Sequence, residues 1–415
     1  MTVLPELTSV DRAEAWAREH VGDLAVGPWR RSSIRGGQGA ADAALAGFPI
    51  RGYARRRNQV WPAGDRGASG LSPYIRHGLL SLPRVWDAVE GGPDDDVSRF
   101  RDELLWQEYA RHLYARLGGE TRRSLRFAVE EHDAGPGADD PWRGDEACLS
   151  LAWTELTTQG WLPNQTRMWL ASHWTVRSGR GWREGEDRFF RQLLDGSRAA
   201  NRVGWQWTIG ALTGKPYGFS RWQVEKRAPG LCSSCLHKSR CPIQEWPPDD
   251  PPEARSVTDP RMRRDADVGA TRGPVGVQRS GIPEEVWITA ESLGTADPAL
   301  AAHPDLPAVF VFDEPLLRAL RLSPGRLVFL AECLADLAQH RTVTVERGAP
   351  AEVLAGRRLA VTFAGVPGWR RLAAHLDPAE VHPWPWLVPP HAGSVTSFTA
   401  WRRAGGRIRI GASGG

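Results

Sequence analysis

No apolar run in the chain approaches the ~20 residues that cross a bilayer, and the opening "MTVLPELTSVDRAEAW" has no signal-peptide core. These two absences point to a soluble, cytoplasmic protein. Charge of one sign is lacking as well. With 53 basic residues against 49 acidic ones the net charge is +4, so no global field calls for nucleic acid or a membrane surface. Cysteine is scarce, five in 415 residues and unevenly spaced. That excludes a disulfide framework and leaves metal or redox use in a reducing compartment. A G-x-G-x-x-G turn is also missing after the first strand of the α/β pattern described below, so a dinucleotide site of Rossmann type is not supported.

What the chain does have is tryptophan, 20 in all; the indole is chiefly a core residue, but it can also be oxidised by one electron. The length suits two or three domains. Residues 10–230 read as helices, as in "DVSRFRDELLWQEYARHLYARLG", where Phe100, Leu104, Tyr109, Leu113 and Leu117 recur near helical spacing. The stretch 247–283 is proline-rich at first and charged throughout, and reads as a linker with one short helix. Beyond it, apolar runs such as "PAVFVFD", "TVTVERG" and "RLAVTFAG" alternate with amphipathic helices, the pattern of a parallel-sheet α/β domain. The expected organisation is therefore an all-α domain over 1–246 that includes the cysteine cluster, a linker over 247–283 and an α/β domain over 284–415. Nine arginines against two aspartates between Arg30 and Arg76 make that segment the better candidate for phosphate contact.

Three cysteines fall within ten residues in "GLCSSCLHKSRCPIQEW". Cys232 and Cys235 form C-x2-C, and Cys241 stands immediately before Pro242. Zinc would need a fourth nitrogen or sulfur ligand, for which His237 is the nearest choice, but no second ligand pair follows. A cubane iron-sulfur cluster takes four thiolates, commonly with a proline after the last.

The densest segment is "GWLPNQTRMWLASHWTVRSGRGWREGEDRFFRQLLDGSRAANRVGWQWTIG", from Gly160 to Gly210. It resembles the flavin-binding core of the photolyase and cryptochrome family, with GW-x-x-N-x-x-RM, WR-x-GE and DG-x-x-AAN-x-x-GWQW in the family's order and spacing. Upstream, Tyr53–Ser81 resembles the flavin-phosphate loop and Phe100–Leu113 the substrate helix with its E-x-x-W. The α/β segment resembles the family's antenna domain. In usual members that domain comes first, so the chain resembles a circular permutation of the family.

The resemblance implies FAD held by Tyr53, Ser69, Leu71, Ser72, Arg167, Asp195, Ser197 and Asn201. Arg167 and Asp195 would pair beside the flavin ring, and Asn201 would face its N5. Trp205 and Trp182 would relay electrons, with Trp142 a candidate third member. Glu103, Trp106, Asn164 and Trp207 would receive a pyrimidine dimer flipped from damaged DNA. Gln107 and Gln165 stand where dimer-repairing members usually carry arginine, which would weaken phosphate or lesion contact.

The chain also resembles an iron-sulfur branch of the family. That likeness implies a 4Fe-4S cluster on Cys148, Cys232, Cys235 and Cys241, with zinc as the alternative and Cys333 left as a core residue. The antenna chromophore varies in the family and is left unassigned. The expected function is light-driven repair of cyclobutane pyrimidine dimers by electron transfer from FAD, acting as a monomer. The alternative is a blue-light photoreceptor without repair activity that signals to a protein partner.

Overall fold

The computed structural model describes residues 2–7, 9–129, 140–246 and 255–405. Most of the glycine- and proline-rich loop at 132–141 and the first eight residues of the expected linker, 247–254, lie outside them.

Between residues 10 and 230 the described elements are helical. The principal ones are α1 (Ala13–His20), α2 (Asp94–Leu117), α3 (Ala147–Gln159), α4 (Asn164–Ser172), α5 (Trp182–Gln192) and α6 (Arg198–Thr208). The longest, α2, begins after Pro93 with Asp94, Asp95 and Asp96 in its first turn, where carboxylates favour the positive end of the helix dipole. It ends at Gly118, whose φ of 56° suits a residue without a side chain. Helices α3 to α6 close around a core of indoles, with Trp142, Trp169, Trp174, Trp182 and Trp205 all buried.

The α/β part holds β3 (Glu285–Ile288), β4 (Ala308–Asp313), β5 (Val343–Gly348), β6 (Leu359–Thr362) and β7 (Glu380–His382). Two short strands, β1 (Thr2–Val3) and β2 (Gln278–Arg279), complete a sheet ordered β1-β5-β4-β3-β6-β7-β2. The five inner strands are parallel. Their alternation buries Val286, Ile288, Ala308, Phe310 and Phe312 on one face and Trp287, Val309 and Val311 on the other. Burial on both faces is why these strands read as continuous apolar runs. The helices of this part include α7 (Pro298–Ala302), α8 (Pro324–Leu337) and α9 (Phe398–Ala404).

The sheet expected to be parallel is mixed, because β1 and β2 pair antiparallel to β5 and β7 at its two edges. Strands of two residues carry no periodicity from which to read them. β1 comes from the very start of the chain, and α1 packs on α8, so the N-terminal segment lies against the α/β part. Residues 255–283, expected to be a linker with one short helix, contain two, Pro260–Arg263 and Val268–Arg272, each capped by an aspartate, and then β2. Among the described residues no helix is long and apolar enough to cross a membrane.

One stripe of α2 joins the two parts. Glu108, His112 and Arg116, spaced i, i+4 and i+8, share a helix face, and all three are buried. Glu108 Oε1 accepts the backbone N–H groups of Leu387 and Val388 at 2.7 and 3.0 Å. Arg116 donates to the carbonyls of Arg261, His391 and Gly393 and pairs with Asp265. His112 donates from Nε2 to the Val388 carbonyl at 2.7 Å and accepts the Trp401 indole N–H at Nδ1, 2.8 Å away.

Those two roles fix His112 as the neutral imidazole, and burial pushes it down to about 3. Its folded-state value lies below the ~6.5 of an unfolded histidine. The stability tied to its neutral form is thus full above that range and is lost as pH falls from ~6.5 towards 3. His112→Gln keeps one donor and one acceptor but takes no proton. Urea midpoints measured from pH 7 to pH 4 should fall less steeply in this variant than in the wild type.

Candidate functional site

Arg167, on α4, reaches Asp195 in the turn before α6, with Nη2 2.7 Å from Oδ2. Its Nε donates to the Leu162 carbonyl at 2.9 Å, which aims the guanidinium. The other Asp195 oxygen, Oδ1, is buried and has no hydrogen-bond partner among the described residues. Leaving a buried carboxylate oxygen unpaired costs roughly 1–3 kcal/mol or more, so the site has an acceptor ready for a ligand donor. One turn into α6, Asn201 donates from Nδ2 to both the backbone carbonyl and the carboxylate of Glu186. That fixes the amide orientation and leaves its oxygen as the atom available to a ligand. Burial raises Glu186, while Arg198, Arg202 and Asn201 act in the opposite direction. Ser197 stands just before α6, partly buried.

Trp205 is buried four residues after Asn201, and its indole N–H has no partner among the described residues. It can lie there because Gly185 has no side chain: a Cβ on Gly185 would come within 2.3 Å of the Trp205 ring and 2.9 Å of Trp174. The Trp205 ring is 5.2 Å from Phe189 and 6.3 Å from Trp142. Trp142 in turn lies 5.4 Å from the half-buried Trp153, and the Arg188 guanidinium lies over Trp142, Trp153 and Trp174. Trp153 also lines an open cleft of about 230 Å³ between the helical and α/β parts. Trp182, the first residue of α5, is buried, and its indole N–H too has no partner among the described residues.

A second group gathers around α2. Glu103 accepts the Tyr53 hydroxyl at Oε2, 2.6 Å away, and pairs with Arg57 through Oε1. Tyr53 is thus engaged by Glu103, and burial followed by the charge of Glu103 raises its phenol above the ordinary range. Ser69, Leu71 and Ser72 lie together at the start of a short helix. The Ser69 hydroxyl faces the Leu71 N–H at 3.4 Å, Leu71 is fully buried, and Ser72 accepts the Trp161 indole N–H at 3.0 Å.

Trp106 is 39% exposed, and Phe398 of α9 stacks on it with centroids 4.2 Å apart and planes 8° from parallel. Trp207 packs 5.6 Å from Tyr217, whose hydroxyl accepts Gln165 Nε2 at 3.1 Å. Asn164, first residue of α4, is exposed. The chain motifs do not signal Phe398, Tyr217 or Trp153, whose parts in these clusters depend on contacts across elements; Glu186 closes the WR-x-GE motif, which does not announce its bond to Asn201.

The four cysteines of the third group meet in one small pocket. Cys148, Cys232, Cys235 and Cys241 all line it, together with Arg221 and His237. Cys148, second residue of α3, is buried, and its thiol is pushed up by burial first and then by Cys232 and Cys241. The preceding Ala147 N–H points at Cys235 Sγ, 3.4 Å away. Cys333 is buried elsewhere, on α8, where it accepts the Gly37 N–H.

A sequence profile of the FAD binding domain of DNA photolyase matches residues 100–223. The deoxyribodipyrimidine photo-lyase of Synechococcus sp. is 31% identical over 191 residues, covering 42% of this chain and 39% of that protein. That of Salmonella typhimurium is 34% identical over 196 residues, 42% of this chain and 40% of that protein. The crystal structure of a bacterial class III photolyase from Agrobacterium tumefaciens aligns at 27% identity with a TM-score of 0.37, over 41% of this chain and 37% of that one. The chain thus spans about two fifths of the length of these curated relatives.

Proposed function

We propose that this chain, similar over residues 100–223 to the FAD binding domain of DNA photolyase, is a light-dependent FAD flavoprotein that repairs cyclobutane pyrimidine dimers. The observation that carries the reading is the Arg167–Asp195 pair beside Asn201 and Trp205, within the segment that matches the FAD binding domain. The Asp195 Oδ1, without a partner among the described residues, fits a flavin N–H or ribityl hydroxyl, and the Asn201 oxygen offers a second acceptor six residues along the chain. Arg167, Asp195, Ser197 and Asn201 would hold the ring end, with Tyr53, Ser69, Leu71 and Ser72 towards the phosphates. When bound, FAD supplies a light-absorbing one-electron donor; the protein's part is to position, to exclude water and to supply charge.

Trp106 and Trp207 would stack the dimer bases and Glu103 would hydrogen-bond them, with Asn164 at the rim. Each stack is worth roughly 1–3 kcal/mol per base, so Trp106→Ala should weaken binding of dimer-containing DNA about tenfold or more. Trp205 and Trp182 would carry electrons inward. The order of the units, helical before α/β, supports a circular permutation of the relatives' plan.

A photoreceptor reading without repair is favoured by two features. Phe398 covers one face of Trp106, and Gln107 and Gln165 offer no cation to DNA. The decisive assay illuminates the reduced protein with single-stranded DNA carrying thymine dimers and follows dimer loss. Light-dependent loss is expected. Intact dimers with normal flavin photoreduction would sink repair and leave the photoreceptor.

For the cysteine pocket the reading is a 4Fe-4S cluster of structural role, tying the segment that leaves the helical part to the start of α3. Four cysteines around one pocket, the last followed by Pro242, are the donor set of such a cluster. Burial of Cys148 beside the three others supports it as the fourth ligand. Iron analysis of purified protein should show that Cys148→Ala loses the metal as fully as Cys235→Ala does, whereas Cys333→Ala retains it.

A further inference from the structure

Far from the indoles and the cysteines, at the β2 edge of the sheet, three ligand-bearing side chains converge. Glu380 and His382 are two apart on β7 and so project to one face of the strand. His303, 77 residues before Glu380, directly follows α7, which packs against β7. His303 Nε2 lies 2.8 Å and His382 Nε2 3.0 Å from the same oxygen, Glu380 Oε2. The three ligand atoms all fall within 4.8 Å of one another, the one such trio of His, Cys, Asp or Glu among the described residues. Glu380 and His382 are buried, while the His303 side chain keeps 20% of its surface exposed.

We infer that His303, Glu380 and His382 form a binding site for one zinc-type dication. Two imidazole nitrogens and a carboxylate oxygen are a donor set that suits zinc and its neighbours in the first transition row and does not suit magnesium or calcium, which take oxygen ligands. A tetrahedral zinc with bonds of ~2.0–2.1 Å holds its ligand atoms about 3.3 Å apart. The separations from Glu380 Oε2 are 2.8 and 3.0 Å, and the two imidazole nitrogens lie within 4.8 Å of each other, so modest side-chain shifts would admit the ion.

Among the described residues Arg279, opposite Glu380 on β2, also reaches the site, and its Nε donates to Glu380 Oε1 at 3.0 Å. It binds the oxygen that faces neither imidazole, so it orients the carboxylate from outside and leaves Oε2 as the ligand atom. Its side chain is 64% exposed, and water screens its repulsion of a dication. The exposed side of His303 gives the ion a way in and leaves the fourth position to water. The bound ion would clamp α7 to β7 at the edge of the sheet.

The probe is Co²⁺, titrated into the full-length purified protein and followed by its visible ligand-field bands, with Zn²⁺ affinity from calorimetry. Cobalt on this nitrogen and oxygen set shows no thiolate-to-metal charge transfer, which separates it from cobalt on the cysteines. One equivalent should bind with this thiolate-free signature. His303→Gln, a change at a partly exposed position, should weaken binding at least tenfold, and so should Glu380→Gln, with circular dichroism unchanged. Absence of a thiolate-free cobalt spectrum, or wild-type affinity in folded His303→Gln, overturns the site. Neither result depends on flavin or on repair.

Discussion

The buried polar stripe on the long helix, Glu108, His112 and Arg116, is the contact on which the arrangement of the two parts depends. Burying these groups is costly unless each is paired. Their partners are backbone groups of the segment after β7, the carbonyl of Arg261 and the side chains of Asp265 and Trp401. Burial pushes Glu108 up to about 7 even with two N–H groups on one oxygen. Backbone partners cannot be exchanged by sliding the helix one turn without orphaning several groups at once, so the stripe fixes register as well as contact.

The proposed function depends on that register because the same helix carries Glu103 and Trp106 on a neighbouring face. With the segment after β7 fixed, α9 is delivered so that Trp401 bonds His112 and Phe398 stacks on Trp106. The α/β part thereby reaches the helix proposed to meet DNA, and one face of its outermost indole is occupied by the chain's own phenylalanine. A base stacking on Trp106 uses the other face or displaces α9. The indole core lies deeper, and there Trp142 touches both Trp205 and the cleft-lining Trp153. The ring contacts thus extend from the flavin-binding motif towards the surface through Trp142.

Much of this was legible in the sequence, and for definite reasons. The helices announce themselves through apolar periodicity and the inner strands through short apolar runs, and the segment from Gly160 to Gly210 packs several motifs into a short, ordered run. Arg167 and Asp195 are 28 residues apart, close enough for a local pattern to suggest them. The edge strands β1 and β2 were not legible, because two residues cannot show a period. Phe398 on Trp106, and His303 beside Glu380, depend on contacts across 292 and 77 residues, which only the folded chain reveals. Residues 255–283 looked like linker because their anchors, Met262 and Asp265, are single residues in a charged context; their burial against α2 is a tertiary property.

The central claim, that the helical part is built to hold FAD, is tested most directly by identifying the chromophore released on denaturing the purified protein. The account predicts FAD, near one per chain, and a large loss of it in Asp195→Ala, which removes the carboxylate with the unpartnered oxygen. A protein that carries no flavin after reconstitution with FAD, or one whose flavin content is indifferent to Asp195, would contradict it.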